Sequence, residues 1–201
     1  MSPVLMSNRI ELESAEQVLE TFYQKGWTDG LPVVPPTEEK VLAFLGAAGL
    51  APDEILGAIP ERNRIFTAEK VAVNAVMAGC LPEYFPVVVA AVRGISRPEF
   101  GLHGVCASTA GSGILMVVNG PVASAIGLNN GQNLMGPGNR ANATIGRAVR
   151  LVLYNLAGRE FDRSTLGHPG KYTYCISENE TSAWKPLHVM RGLTKETNAV
   201  T

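Results

Sequence analysis

The turn Gly136-Pro137-Gly138-Asn139-Arg140 constrains this chain most, because it opens a long amphipathic segment. Ile145, Ala148, Val149, Val152 and Leu156 recur at the helical period. One face of a helix over about 141–157 must therefore face a core. Gly158 marks its stop. The start of such a helix carries free amides and partial positive charge, which favour an anion. Gly136 and Gly138 would let a ligand approach the backbone, and Arg140 offers a fork for carboxylate or phosphate. Asn139, Asn142 and Thr144 would add neutral donors. The competing reading is that the glycines only turn the chain and Asn139 only caps the helix. The string matches neither the Walker loop nor the dinucleotide fingerprint, so no nucleotide is implied.

The rest of the chain alternates helical and extended patterns. Ser14-Ala15-Glu16-Gln17 reads as a capping box for a helix over 15–25. Three prolines exclude a helix over 27–36, which is expected to turn at Asp29-Gly30 and then run extended. Helices are expected from Thr37 to about 46–49, over 68–79, and from Pro82 to about Gly94, with a short one at 122–126. Strands are expected at 54–59, 63–66, 101–107, 114–119 and 172–176. This predicts one α/β or α+β layered domain over 1–201, with short strands and about five helices. The ends, 1–13 and 195–201, are expected to be mobile tails.

Composition limits the partners. Hydrophobic residues make up 46% and charged residues 17%. That supplies a core with apolar surface to spare, so a homo- or hetero-oligomer is expected. A net charge of −1 argues against nucleic acid. No apolar run reaches the roughly 18 residues that span a bilayer, and no signal peptide is evident. The expected location is the cytoplasm, without membrane association. Cys80, Cys106 and Cys175 form no CxxC pair and read as thiols.

Four further constellations could carry chemistry. Cys80 lies between the end of one expected helix and the start of the next, whose dipoles act oppositely on its pKa. It is either a reactive thiol or a small buried hydrophobe. His103 is a candidate acid or base beside a loop of small residues. With Cys106 and Cys80 it could bind a metal, although positions three apart in a strand face opposite ways. His168 and Lys171 could complete a cationic pocket, or merely form a hairpin turn with a solvated lysine. Strand alternation would align Lys171, Thr173 and Cys175 on one face. Trp27 and Asp29 sit in a rigid loop that could wall a pocket or pack as a lid.

Longer strings add a resemblance. Gly26-Trp27-Thr28-Asp29-Gly30-Leu31-Pro32-Val33-Val34-Pro35-Pro36-Thr37 is one, and Asn74-Ala75-Val76-Met77-Ala78-Gly79-Cys80-Leu81-Pro82-Glu83-Tyr84 is another. Arg140-Ala141-Asn142-Ala143-Thr144-Ile145-Gly146-Arg147 and Gly167-His168-Pro169-Gly170-Lys171-Tyr172 complete the set. Over about 16–191 the chain resembles the bacterial UGSC proteins, named for a selenocysteine-or-cysteine motif and thought to be redox-active. This chain lacks the motif. The resemblance implies either that a thiol or selenol resides on a separate subunit, or that this branch does something else. It also implies that the glycine-rich turn, Cys80 and the His168–Lys171 loop share one design.

These readings converge on an enzyme, or the substrate-binding subunit of a two-component enzyme, acting on a small anion. Arg140 and the amides after Gly138 would hold it, Cys80 would act as nucleophile or redox thiol, and His103 or His168 would move protons. Cleavage or reduction at a carbon–heteroatom centre, of lyase or oxidoreductase type, would suit those groups. The alternatives are a non-catalytic partner of a thiol or selenol protein, and a metalloprotein using His103, Cys106 and Cys80. No cofactor is specified.

Overall fold

In the computed structural model, residues 4–107, 113–158, 170 and 172–201 are described. Helix α1 (Ala15–Gln24) starts at Ser14, whose Oγ accepts the Gln17 amide at 3.1 Å. The Gln17 side chain accepts from the amide of Glu13 rather than of Ser14, so the capping box closes one residue earlier than expected. Helix α2 (Glu38–Ala48) carries Glu38 and Glu39 in its first turn and ends at a left-handed Gly49. Thr67 caps α3 (Ala68–Ala78) through the Lys70 amide. Pro82 begins a single tight turn, and α4 (Phe85–Ile95) starts three residues later, with Pro86 in its first turn.

Strands β1 (Ile55–Ile59) and β2 (Arg64–Thr67) form an antiparallel hairpin around a turn at Pro60–Arg62. The expected strand over 101–107 is instead helix α5 (Leu102–Ala107). The turn Pro98–Phe100 and a left-handed Gly101 close α4 off, and the short apolar run then folds locally. A run this short does not separate the two periods.

Strand β3 (Met116–Asn119) is the centre of a three-stranded sheet. It leads into α6 (Pro121–Ala125), a loop, and α7 (Arg140–Val152), which continues as a π-turn over Leu153–Ala157. The chain returns as β4 (Cys175–Ser177), parallel to β3 with Met116 opposite Cys175 and Val118 opposite Ser177. This is a β–α–β crossover, as a parallel pair requires. A short α8 (Leu187–Met190) follows. The last residues, expected as a tail, join the sheet: β5 (Ala199–Val200) pairs antiparallel with β3, and Thr201 exchanges two backbone hydrogen bonds with Val117. The start of the chain is also tied down, because the amides of Met6 and Ser7 donate to Glu69 at 2.8 Å each.

The fold is thus mixed α/β, as expected. Phe44, Phe66, Phe85, Ile145, Leu151 and Val118 lie in one buried cluster. Helix α7 packs along α3 and against β4. Gly146 permits the second contact, since a Cβ there would overlap Thr173 Oγ1 and sit 2.7 Å from the Tyr174 amide nitrogen. Among the described residues, no helix is long and apolar enough to cross a membrane.

Candidate functional site

Helix α3 ends at Gly79 in the left-handed region, φ +89°, which turns its carbonyl toward the start of α7. The Arg140 guanidinium docks there, donating from Nε at 3.0 Å and Nη2 at 2.9 Å to Gly79 O. A cation at this place complements the negative end of the α3 dipole. Arg140 is nonetheless exposed, and its hydrogen bonds use only one edge of the fork.

The neutral side chains around it are spent on the fold. Asn139 caps α7 by accepting the Asn142 amide at 2.9 Å, and donates to Gly127 O at 2.8 Å. Asn142 is buried, accepts from the Asn129 amide and donates to Asn129 O and Leu134 O. Thr144 Oγ1 donates to Arg140 O one turn back. Asn139, Asn142 and Thr144, expected as ligand donors, are engaged with the fold here: a long loop carries many backbone groups needing partners, and these side chains supply them. Gly136 closes a turn onto Asn133 O, and Gly138, at φ +111°, delivers the chain to the cap. Capping removes the Asn142 and Ala143 amides from availability, which among the described residues leaves those of Arg140 and Ala141 as the unclaimed end of α7.

Cys80 follows directly. Its thiol donates to Thr144 O at 3.3 Å, tying the end of α3 to α7. Burial pushes its pKa up to about 12, against smaller opposing effects of that hydrogen bond and of Arg140 and Arg147. Cys175, at the start of β4, is likewise pushed up to about 12 by burial and by the neighbouring Cys80. Both are free thiols and both hold their protons at neutral pH. In this conformation Cys80 is a buried thiol, not a thiolate, because no nearby cation outweighs its desolvation.

Trp27 and Asp29 are also held by the fold. Trp27 packs edge-on against Phe22, centroids 5.3 Å apart, with Lys25 Nζ over its ring. Its carbonyl accepts from Asn155 Nδ2 in the π-turn, which also donates to Asn74 Oδ1 at 2.7 Å. Asp29 is bridged by Arg147, whose Nη2 also donates to Pro32 O at 2.8 Å. Arg147 was visible in the motif string but not as the clamp of the 27–32 loop.

His103 is exposed on α5 and accepts from Arg62 Nε at 3.5 Å. Helix spacing would put positions 103 and 106 on one side, but the Cys106 side chain, His168 and Lys171 lie outside the described residues. The strand alternation proposed for Lys171, Thr173 and Cys175 does not apply, since β4 begins only at Cys175. Thr173 instead donates to the carbonyls of Asn142 and Ala143 in α7. Among the described residues, no group of three or more His, Cys, Asp or Glu is arranged to hold a metal ion.

A second polar cluster went unread in the sequence. It lies at the carboxyl ends of the parallel pair β3 and β4, where open α/β sheets place their ligands. Asn119, the last residue of β3, is fully buried and donates from Nδ2 to Glu178 Oε2 at 2.7 Å and to Glu180 Oε1 at 3.1 Å. Glu178 also accepts the Leu187 amide, and Glu180 the Gly120 amide, each at 2.8 Å. Burial raises the Glu180 pKa, but hydrogen bonds from Gly120 and Asn119, then the electrostatic effects of His188 and Lys195, outweigh it and hold the carboxyl below its usual range. His188, on α8, is buried, and among the described residues neither ring nitrogen has a partner; nor does Asn119 Oδ1. The available signal was Glu178-Asn179-Glu180, two acids spaced for one face immediately beyond a strand.

No protein-family profile, curated protein or solved structure matches this chain.

Proposed function

We propose that this chain is the substrate-binding subunit of an enzyme that acts on a small carboxylate- or phosphate-like molecule. One observation carries the reading: Arg140 is fixed by Gly79 O along one edge while it stays exposed beside the first amides of α7. A guanidinium held this way loses little freedom on meeting an anion, and the helix end adds its field. Bound anion would sit over the α3–α7 junction. His168 and Lys171 remain candidates for completing that pocket.

The thiol chemistry belongs to a second component in this proposal. Cys80 and Cys175 are buried and protonated, which supports a packing role for both and fits a reactive thiol or selenol on a separate subunit. The resemblance to the UGSC proteins, without their motif, points the same way. Cleavage or reduction at a carbon–heteroatom centre is the reaction class proposed for the assembled enzyme. Exposed Trp184, Met190 and Met135 give such a partner, or a second copy, apolar surface to cover. Free thiols fit a reducing compartment, so the cytoplasm is part of the proposal.

The test is calorimetric titration of inorganic phosphate and acetate into the protein and two variants. Arg140→Ala should weaken binding by about 2 kcal/mol, roughly thirtyfold, and Arg140→Lys by less. Equal affinity in all three proteins would remove Arg140 from the site. Turnover by the chain alone would overturn the two-component reading.

A further inference from the structure

We infer that Asn119, Glu178, Glu180 and His188 form a binding site for the primary ammonium group of a small molecule, separate from the anion site on α7. The cluster is rich in acceptors and poor in donors. Two carboxylates converge on the single Asn119 amide nitrogen. Among the described residues, neither carboxylate is in an ion pair; Lys195 acts on Glu180 only from a distance. The Asn119 amide cannot flip to satisfy its own oxygen, because its NH₂ is claimed by both acids. Asn119 Oδ1 therefore stays a buried acceptor without a donor, beside two negative charges.

His188 adds the independent sign. A buried imidazole with both nitrogens unpartnered forgoes two hydrogen bonds, each costly to leave unmade. The amide of Leu187, its neighbour on α8, donates to Glu178 Oε2 at 2.8 Å, which ties the start of this helix to the same cluster. An ammonium group brings three donors, enough for Asn119 Oδ1, a carboxylate oxygen and the unprotonated ring nitrogen of His188, together with one positive charge. An anion would meet two carboxylates. The acids and the histidine are not arranged as a metal ligand set. Water alone would satisfy hydrogen bonds but leave the charge.

The probe is methylammonium chloride, titrated into isotopically labelled protein while the His188 ring nitrogens are followed by NMR. Their signals are assigned by their loss in His188→Gln. Tetramethylammonium chloride at equal ionic strength carries the charge without N–H donors. The expected result is a saturable His188 shift with methylammonium and none with tetramethylammonium. Glu180→Gln, or Glu178→Gln should the first variant not fold, should weaken it about tenfold or more. Arg140→Lys should leave it unchanged, which separates this outcome from that of the anion site. No saturable shift, an equal response to tetramethylammonium, or saturation by magnesium or zinc but not by methylammonium would each overturn the proposal.

Discussion

Arg147 and Asp29, 118 positions apart, form a two-pronged ion pair with both N–H···O distances at 2.8 Å. Their side chains are only 15% and 6% exposed, so neither charge can fall back on water if its partner is lost. Asp29→Asn or Arg147→Gln should each cost about 3 kcal/mol in urea unfolding. The double variant should cost far less than the sum of the two. Additivity within about 0.5 kcal/mol would mean that the pair does not hold the 27–32 loop.

The buried thiols give a second expectation. With pKa values near 12, Cys80 and Cys175 should be alkylated by iodoacetamide at pH 8 about a thousandfold more slowly than in the unfolded chain. Mass spectrometry of each cysteine-containing peptide reads this directly. Fast modification of Cys80 in the native protein would restore it as a nucleophile.

Glu69 links stability to pH. It is buried in α3, and its desolvation is outweighed by hydrogen bonds from the Ser7 side chain and the amides of Met6 and Ser7, with Lys70 adding to them. Its carboxyl therefore titrates below its usual value of 4.5. Glu180 does the same at the other cluster. Each contributes stability that is fully present above the ordinary carboxylate range and is lost as pH falls through the depressed value. Unfolding free energy should drop from about pH 5 downward, less steeply in Glu69→Gln. Identical pH slopes in the two proteins would contradict this role.

Much of the fold was legible because it rests on local signals. Ser14, Thr67 and Asn139 all cap helices through the amide three residues on. The apolar stripe of Ile145, Ala148, Val149 and Val152 is buried as the period required. Residues 101–107 were not legible, since a seven-residue run of small and apolar groups around one histidine fits either period. The pairing of Ala199 and Val200 with β3 depends on a contact across the whole second half of the chain, which no local pattern announces. The candidate site divides the same way. Arg140 was visible from its place at a helix start, but its bond to Gly79 O spans 61 residues and exists only in the fold. Asn119 ends β3, Glu178 follows β4 and His188 sits on α8; the paired acids Glu178 and Glu180 were visible in the sequence, but their convergence on Asn119 exists only in the fold.

Gly146 tests how closely α7 must approach the strand that follows. Gly146→Ala should cost about 1–3 kcal/mol, because the new methyl meets Thr173 Oγ1 and the Tyr174 amide. Thr173→Ser would not relieve a clash with backbone, so the pair should recover little. A neutral Gly146→Ala in urea unfolding would show that this packing has slack.

The central claim is that the exposed edge of Arg140 and the first amides of α7 receive an anion. The most direct measurement is a titration with inorganic phosphate at constant ionic strength, following backbone amides by NMR. The account predicts saturable shifts centred on Arg140 and Ala141 that are strongly weakened in Arg140→Ala. No saturable response at those amides, or the same response in the variant, would contradict it.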